Sequence, residues 1–169
     1  MNPILQADSS DRVQRGESIV KSLTSLAREL IDRIERWLTP LFDLAIRLYV
    51  GWQFVKSGWL KVSDWESTLA LFENEYHVPV LPPQLAAVMG SAGELLLPVL
   101  LCLGLAGRFG AAGLFVVNAV AVVSYADLSE LAYADHLLWG CLLLVTLFHG
   151  PGRLSLDHWL SARWKRGRP

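Results

Sequence analysis

Between Gly104 and Phe148 the chain places only four charged residues: Arg108, Asp127, Glu130 and Asp135. A soluble domain cannot carry so long a stretch of apolar sequence without exposing a large hydrophobic patch. A polytopic membrane protein distributes charge in just this way, with apolar segments of about 20 residues separated by charged connections. Four such segments follow one another: Pro40 to about Val62, Pro83 to Gly104, Arg108 to Ala126, and about Leu131 to His149. The fourth reaches span length only if Asp135 and His136 sit at the membrane boundary. The fold class expected is therefore all-α, a polytopic membrane four-helix bundle.

The residues ahead of this bundle have a different character. Residues 1–18 are polar and charged, with too little apolar surface to pack, and read as a disordered N-terminus without the apolar core of a cleavable signal peptide. From Ile19, apolar residues recur at 20, 23, 26, 27, 30, 31, 34 and 38, with Lys21, Arg28, Glu29, Asp32, Arg33, Glu35 and Arg36 between them. Residues 19–39 are thus an amphipathic surface helix, expected to lie on the bilayer with Trp37 at headgroup depth. A docking helix for a partner protein has the same pattern. Residues 40–152 form the four-helix domain. Residues 153–169 form a short surface helix, begun by Ser155 or Asp157, and a basic tail.

Orientation follows from Lys and Arg. They crowd the N-terminal region, the turn ending in Arg108 and the tail from Arg153 to Arg168. The connection from Ser63 to Pro82 carries Asp64, Glu66, Glu73 and Glu75 but no cation. The positive-inside rule places both termini in the cytoplasm of a cell whose inner membrane holds the protein. The long outer connection is expected to fold as an amphipathic cap, Trp65 to Tyr76.

Inside the spans, polar residues stand out. At about 100° per residue, Asp43, Arg47, Gly51, Phe54, Gly58 and Lys61 share one face of the first span. Counting about 1.5 Å per residue from the inner ends puts Arg47 about 10 Å deep and Glu94 and Asn118 about 15 Å deep. Burying one such charge costs about 2.5–3.5 kcal/mol, so Arg47 and Glu94 are expected to pair. Asn118 would hydrogen-bond the cluster and Asp43 would share Arg47. Arg47 and Glu94 form the candidate catalytic or proton-handling pair, with Asn118, Asp43 and Lys61 as binding residues. Lys56 and Lys61 lie toward the outer end, where long stems reach the interface. A purely structural cluster that fixes helix register is the alternative. His136, beside Asp135, reads as a surface pair at a helix start, with a proton-exchanging group at the outer surface as the alternative, and Cys102 and Cys141 as small core residues. No metal-binding spacing, nucleotide-binding glycine pattern or nucleophile elbow occurs. The short basic tail gives no case for nucleic acid.

The order of these motifs resembles the DoxX family: Arg47-x-x-x-Gly51-x-x-Phe54-x-x-x-Gly58-x-x-Lys61, then Gly93-Glu94-Leu95, then Leu103-Gly104-Leu105 with Arg108. The closing Gly150-Pro151-Gly152-Arg153-Leu154-Ser155-Leu156-Asp157 is similar too, so that the resemblance covers about residues 40–160. It implies a small inner-membrane protein related to the membrane subunit of thiosulfate:quinone oxidoreductase, or to thiol-redox and oxidative-stress systems. The Glu75-Tyr76-His77-Val78-Pro79-Val80-Leu81-Pro82-Pro83 loop resembles members encoded beside metal-binding peptide maturation systems. Two functions stay open. One is an oxidoreductase subunit that takes a quinone, with no cofactor encoded by motif, and that meets membrane lipid and a cytoplasmic or periplasmic redox partner. The other is a non-enzymatic scaffold or small-solute pathway serving metal or oxidative stress.

Overall fold

The computed structural model describes the backbone of residues 3–125 and 127–167, and over that range the side chains of Ser18 and of residues from Val20 onward. Six helices and no strand occur among the described residues: α1 (Pro3–Ser63), α2 (Trp65–Asn74), α3 (Pro83–Leu103), α4 (Gly107–Ser124), α5 (Glu130–His149) and α6 (Leu156–Arg166). The chain divides into two compact units, residues 1–39 and 40–169.

In the first unit the backbone is helical from Pro3, where the sequence suggests no order. Its apolar stripe is uncovered: Val20, Leu23, Leu26, Leu30, Ile31, Ile34 and Leu38 are each more than half exposed. Pro40, expected to open the first span, lies within α1 instead. A proline removes one backbone donor, a loss that membrane helices tolerate where neighbouring groups take up the freed carbonyl.

In the second unit, α1 from Pro40 onward, α3, α4 and α5 alternate in direction. Gly51 of α1 lies against Pro98 and Cys102, and Gly58 against Glu94 and Leu95, an antiparallel register. Gly110 of α4 meets Leu97, Leu100 and Leu101, while Gly93 of α3 meets Val117. Glycine at these contacts lets helix backbones approach in the way membrane bundles require. Gly58 has no room for a side chain, since a Cβ there would sit 2.9 Å from both Glu94 Cβ and Leu95 Cγ and 3.1 Å from the Glu94 backbone carbon. Gly58→Ala is therefore expected to lower stability by about 1–3 kcal/mol through overpacking, read as a lower unfolding temperature in detergent.

The bundle's surface chemistry is inverted relative to a soluble protein. Leu96, Phe109 and Phe148 are 67%, 67% and 76% exposed, whereas Arg47 is 0% and Asn118 5% exposed. Helices α3, α4 and α5 are long and apolar enough to cross a membrane. The α1 stretch falls short by composition, because Asp43, Arg47, Lys56 and Lys61 all lie in it. Three of those four turn inward: Asp43 and Arg47 are buried and Lys61 is half-buried, with only Lys56 on the exposed face. The core joins Val50, Phe54, Leu101, Ala111, Leu114 and Leu143. The third span was expected to reach Ala126, which lies outside the described residues; α4 itself ends at Ser124.

The connection between α1 and α3, at the end of the bundle termed outer as opposed to the inner end near Pro40 and His149, folds as the expected cap. Asp64 begins α2 by accepting from Ser67 N at 3.1 Å and Ser67 Oγ at 2.7 Å. These hydrogen bonds hold the exposed Asp64 carboxyl below its ordinary value. Their contribution is thus present above the usual aspartate range and is lost as pH falls through the lowered folded-state value. Phe72 of α2 packs on Ala86 and Ala87 of α3 in a second small core. Tyr76 stacks between Phe72 and Tyr125, at 4.9 and 5.2 Å, and His77 N donates to Ser124 O at 2.9 Å. The loop is thereby tied to the outer end of α4.

Candidate functional site

The two buried cations of α1 take different partners at different levels of the bundle. Arg47 does not meet Glu94. Its guanidinium donates to the Leu101 and Cys102 carbonyls, at 3.3 and 3.0 Å, and to the Leu154 carbonyl. The first two belong to the last turn of α3, where helical carbonyls lack intrahelical donors and the helix dipole favours a cation. The expected pairing fails because Pro40 does not mark the inner end of the helix. In fact α1 runs past that point, and Arg47 stands level with the end of α3, not with its middle. Glu94 lies eight residues earlier on α3 than Cys102, about 12 Å along the axis. Asp43 does not share Arg47 through an ion pair. Its carboxylate packs against Gly152, with His149 Nε2 at 3.9 Å.

The closing Gly-Pro-Gly…Ser-Leu-Asp segment completes this inner clasp. Gly104 ends α3 at φ +63°, and a Cβ there would fall 2.5 Å from both Arg47 Nη1 and Ser155 Cβ. Ser155 caps α6 by accepting from His158 N at 3.2 Å. Asp157 reaches across to α4, accepting from Ala106 N and Gly107 N, each at 2.9 Å. Ser155 and Asp157 were alternatives for one cap in the sequence; the structure uses both, at two different helices. Arg47 and Asp157 thus hold helix ends together, with Arg47 Nε buried and without a hydrogen-bond partner among the described residues.

Chemistry is available instead at the outer half. Lys61 Nζ lies 2.7 and 3.0 Å from the two Glu94 oxygens and 2.8 Å from Ser57 Oγ. Both partners are largely buried, their side chains 14% and 9% exposed. Thr68 Oγ1 of α2 donates to the Lys61 carbonyl at 2.9 Å, fixing the end of α1 under the cap. Lys61 is therefore the partner that Glu94 requires, a role the sequence hides because a lysine near a helix end reads equally well as reaching for the interface.

This pair forms the polar end of an apolar cavity of about 220 Å³. Phe72, Tyr76 and Leu81 close it toward the outer connection, and Met89 and Val116 line it between α3 and α4. Met89 and Val116 are themselves 55% and 59% exposed, so the cavity communicates with the lipid-facing surface. Burial, and next the Glu94 charge, push the Tyr76 phenol above its ordinary value, which keeps it a neutral O–H donor at the cavity wall.

Asn118 joins neither cation. It exchanges two hydrogen bonds with His136 of α5: Asn118 Nδ2 donates to the His136 carbonyl at 2.9 Å, and His136 Nδ1 lies 2.8 Å from Asn118 Oδ1. His136 is therefore not merely one half of a surface pair with Asp135. The cysteines are both free; Cys102 lies against Gly51, but Cys141 is exposed and not in the core. No group of three metal-ligating side chains occurs among the described residues.

A bundle that buries most of its charges and presents leucine, valine and phenylalanine outward is an integral membrane protein. The chain belongs to the DoxX family, whose model matches residues 42–127, just over half of the 169 residues. The match contains Arg47, Lys61, Glu94 and Asn118 but stops before the closing segment. An uncharacterized protein of Haemophilus influenzae is 29% identical over 121 residues, which cover 68% of this chain and 80% of that protein. No solved structure matches.

Proposed function

We propose that this protein is the membrane subunit of a quinone-linked redox system acting on sulfur or thiol chemistry, with the Lys61–Glu94 cavity as the quinone headgroup site. One observation carries the reading: a buried ammonium–carboxylate pair closes an apolar cavity that opens toward lipid. A lipophilic ring with polar oxygens suits those surroundings better than a hydrated ion does. Lys61 supplies an N–H donor for a ring oxygen, and Glu94 is a carboxylate placed to pass a proton beside it. The cavity's volume suits a headgroup, leaving an isoprenoid tail to run out past Met89 and Val116. Electrons come from a partner protein or directly from substrate, since the sequence has no haem, flavin or iron–sulfur motif. In this reading the protein lies in the inner membrane with both termini cytoplasmic, as the distribution of Lys and Arg supports.

The test is the quinone content of protein purified in mild detergent. Wild-type protein is expected to retain quinone, Lys61→Met and Glu94→Gln to retain at least several-fold less, and Lys56→Met to match wild type. Absence of both quinone and quinone-dependent turnover from wild-type protein would overturn the reading. The scaffold alternative draws its support from the uncovered apolar stripe between Val20 and Leu38. Crosslinking from that stripe to a defined protein in a strain where quinone is absent from the complex would favour it.

A further inference from the structure

We infer that His136 is a built proton-binding site, held by Asn118 in the Nδ1–H form so that Nε2 is the base. The inference starts from the two hydrogen bonds between α4 and α5. The His136 backbone carbonyl can only accept, so the Asn118 atom 2.9 Å from it is the amide nitrogen. That fixes the carboxamide the other way round at the ring, where Oδ1 stands 2.8 Å from Nδ1. A carboxamide oxygen can only accept, so Nδ1 carries a hydrogen. In the neutral ring the lone pair then resides on Nε2. Gaining a proton adds N–H at Nε2 and leaves the Asn118 pair unbroken, so the ring can load and unload without rearranging its support.

The surroundings fit such a role. Gly140 makes room for Asn118, since a Cβ there would lie 3.3 Å from its amide nitrogen. Trp139 packs edge-on against the imidazole at 4.9 Å and is itself edge-on to Phe54 at 6.0 Å, which links the ring to the inward face of α1. His136 sits six residues into α5, about 9 Å from its outer start, near enough for exchange with water there. The charged groups around it are Asp135 on its own helix and Lys61 on α1. Loading of His136 is therefore sensitive to the Lys61 charge. As a proton source for quinone reduction His136 rests on the reading above; as a proton-binding site it does not. Only a proton moves, from water at the outer end to Nε2 and back, and no electron is transferred.

Histidine-selective ¹⁵N labelling of the full chain in micelles tests this. The His136 spectrum at neutral pH is expected to show Nδ1 protonated and Nε2 of pyridine type, with Nε2 gaining the proton on acidification. Asn118→Leu is expected to release the ring to mixed tautomers, and Lys61→Met to displace the titration midpoint while the exposed Lys56→Met does not. An Nε2–H tautomer in the wild-type protein, or a ring that never titrates, overturns the inference; that spectrum decides even if a variant fails to fold. Quinone content measured on the same samples separates the two readings. Loss of quinone with the Nδ1–H form intact removes the redox reading and leaves the proton site standing.

Discussion

Lys61→Met is expected to destabilise the bundle by about 3–5 kcal/mol, the range for removing one partner of a buried ion pair. The cost comes from Glu94, which would be left as a carboxylate 9% exposed with no cation beside it. Adding Glu94→Gln to Lys61→Met should restore much of the lost stability, because replacing both charges removes the uncompensated one. Chemical unfolding in detergent, followed by tryptophan fluorescence, reads both effects. If the double variant is instead less stable than either single one, the pair is not what holds these two helices. Under the proposed function quinone content should behave differently from stability, with the double variant regaining the fold but not quinone.

Arg47→Met has the other large effect. It would remove the guanidinium donor from the Leu101, Cys102 and Leu154 carbonyls, of which, among the described residues, Leu101 alone keeps another donor in Gly104 N–H. Hydrogen bonds to charged groups contribute about 1.5–3 kcal/mol each, so the bundle's inner end should open. We expect a sharp fall in folded protein, measured by size-exclusion profile and protease resistance at the α3–α4 turn. Arg47→Lys should recover only part of it, since an ammonium on a shorter, narrower head cannot span the end of α3 and the segment after α5 at once. Unchanged folding in Arg47→Met would show that Arg47 is not the clasp.

The sequence carried the architecture because the bilayer imposes strong rules on a chain. Spans must be apolar and long, and buried charges must face inward, so the spacing of Asp43, Arg47, Gly51, Phe54 and Gly58 reported the inward face of α1 correctly. Pairing was harder to read. Which cation meets Glu94 depends on the axial offset between α1 and α3, and Pro40 gave a false origin for that offset. Gly58 held the better clue, since close backbone approach there brings Lys61, three residues on, to Glu94. Asn118–His136 was hidden for a related reason: it depends on the register of α4 against α5, which Gly140 sets. Asp157 was legible as a helix cap, but the helix it caps in trans could not be known from local sequence.

The central claim is that Glu94 belongs to Lys61 at the cavity, while Arg47 belongs to the inner clasp. A pair of double-mutant cycles on unfolding free energy tests it most directly. Lys61→Met with Glu94→Gln should show a coupling energy of at least about 1 kcal/mol, within the range for residues in contact. Arg47→Met with Glu94→Gln should be additive to within about 0.5 kcal/mol, as for residues far apart with no shared partner. Strong coupling in the Arg47 cycle, with none in the Lys61 cycle, would contradict the account.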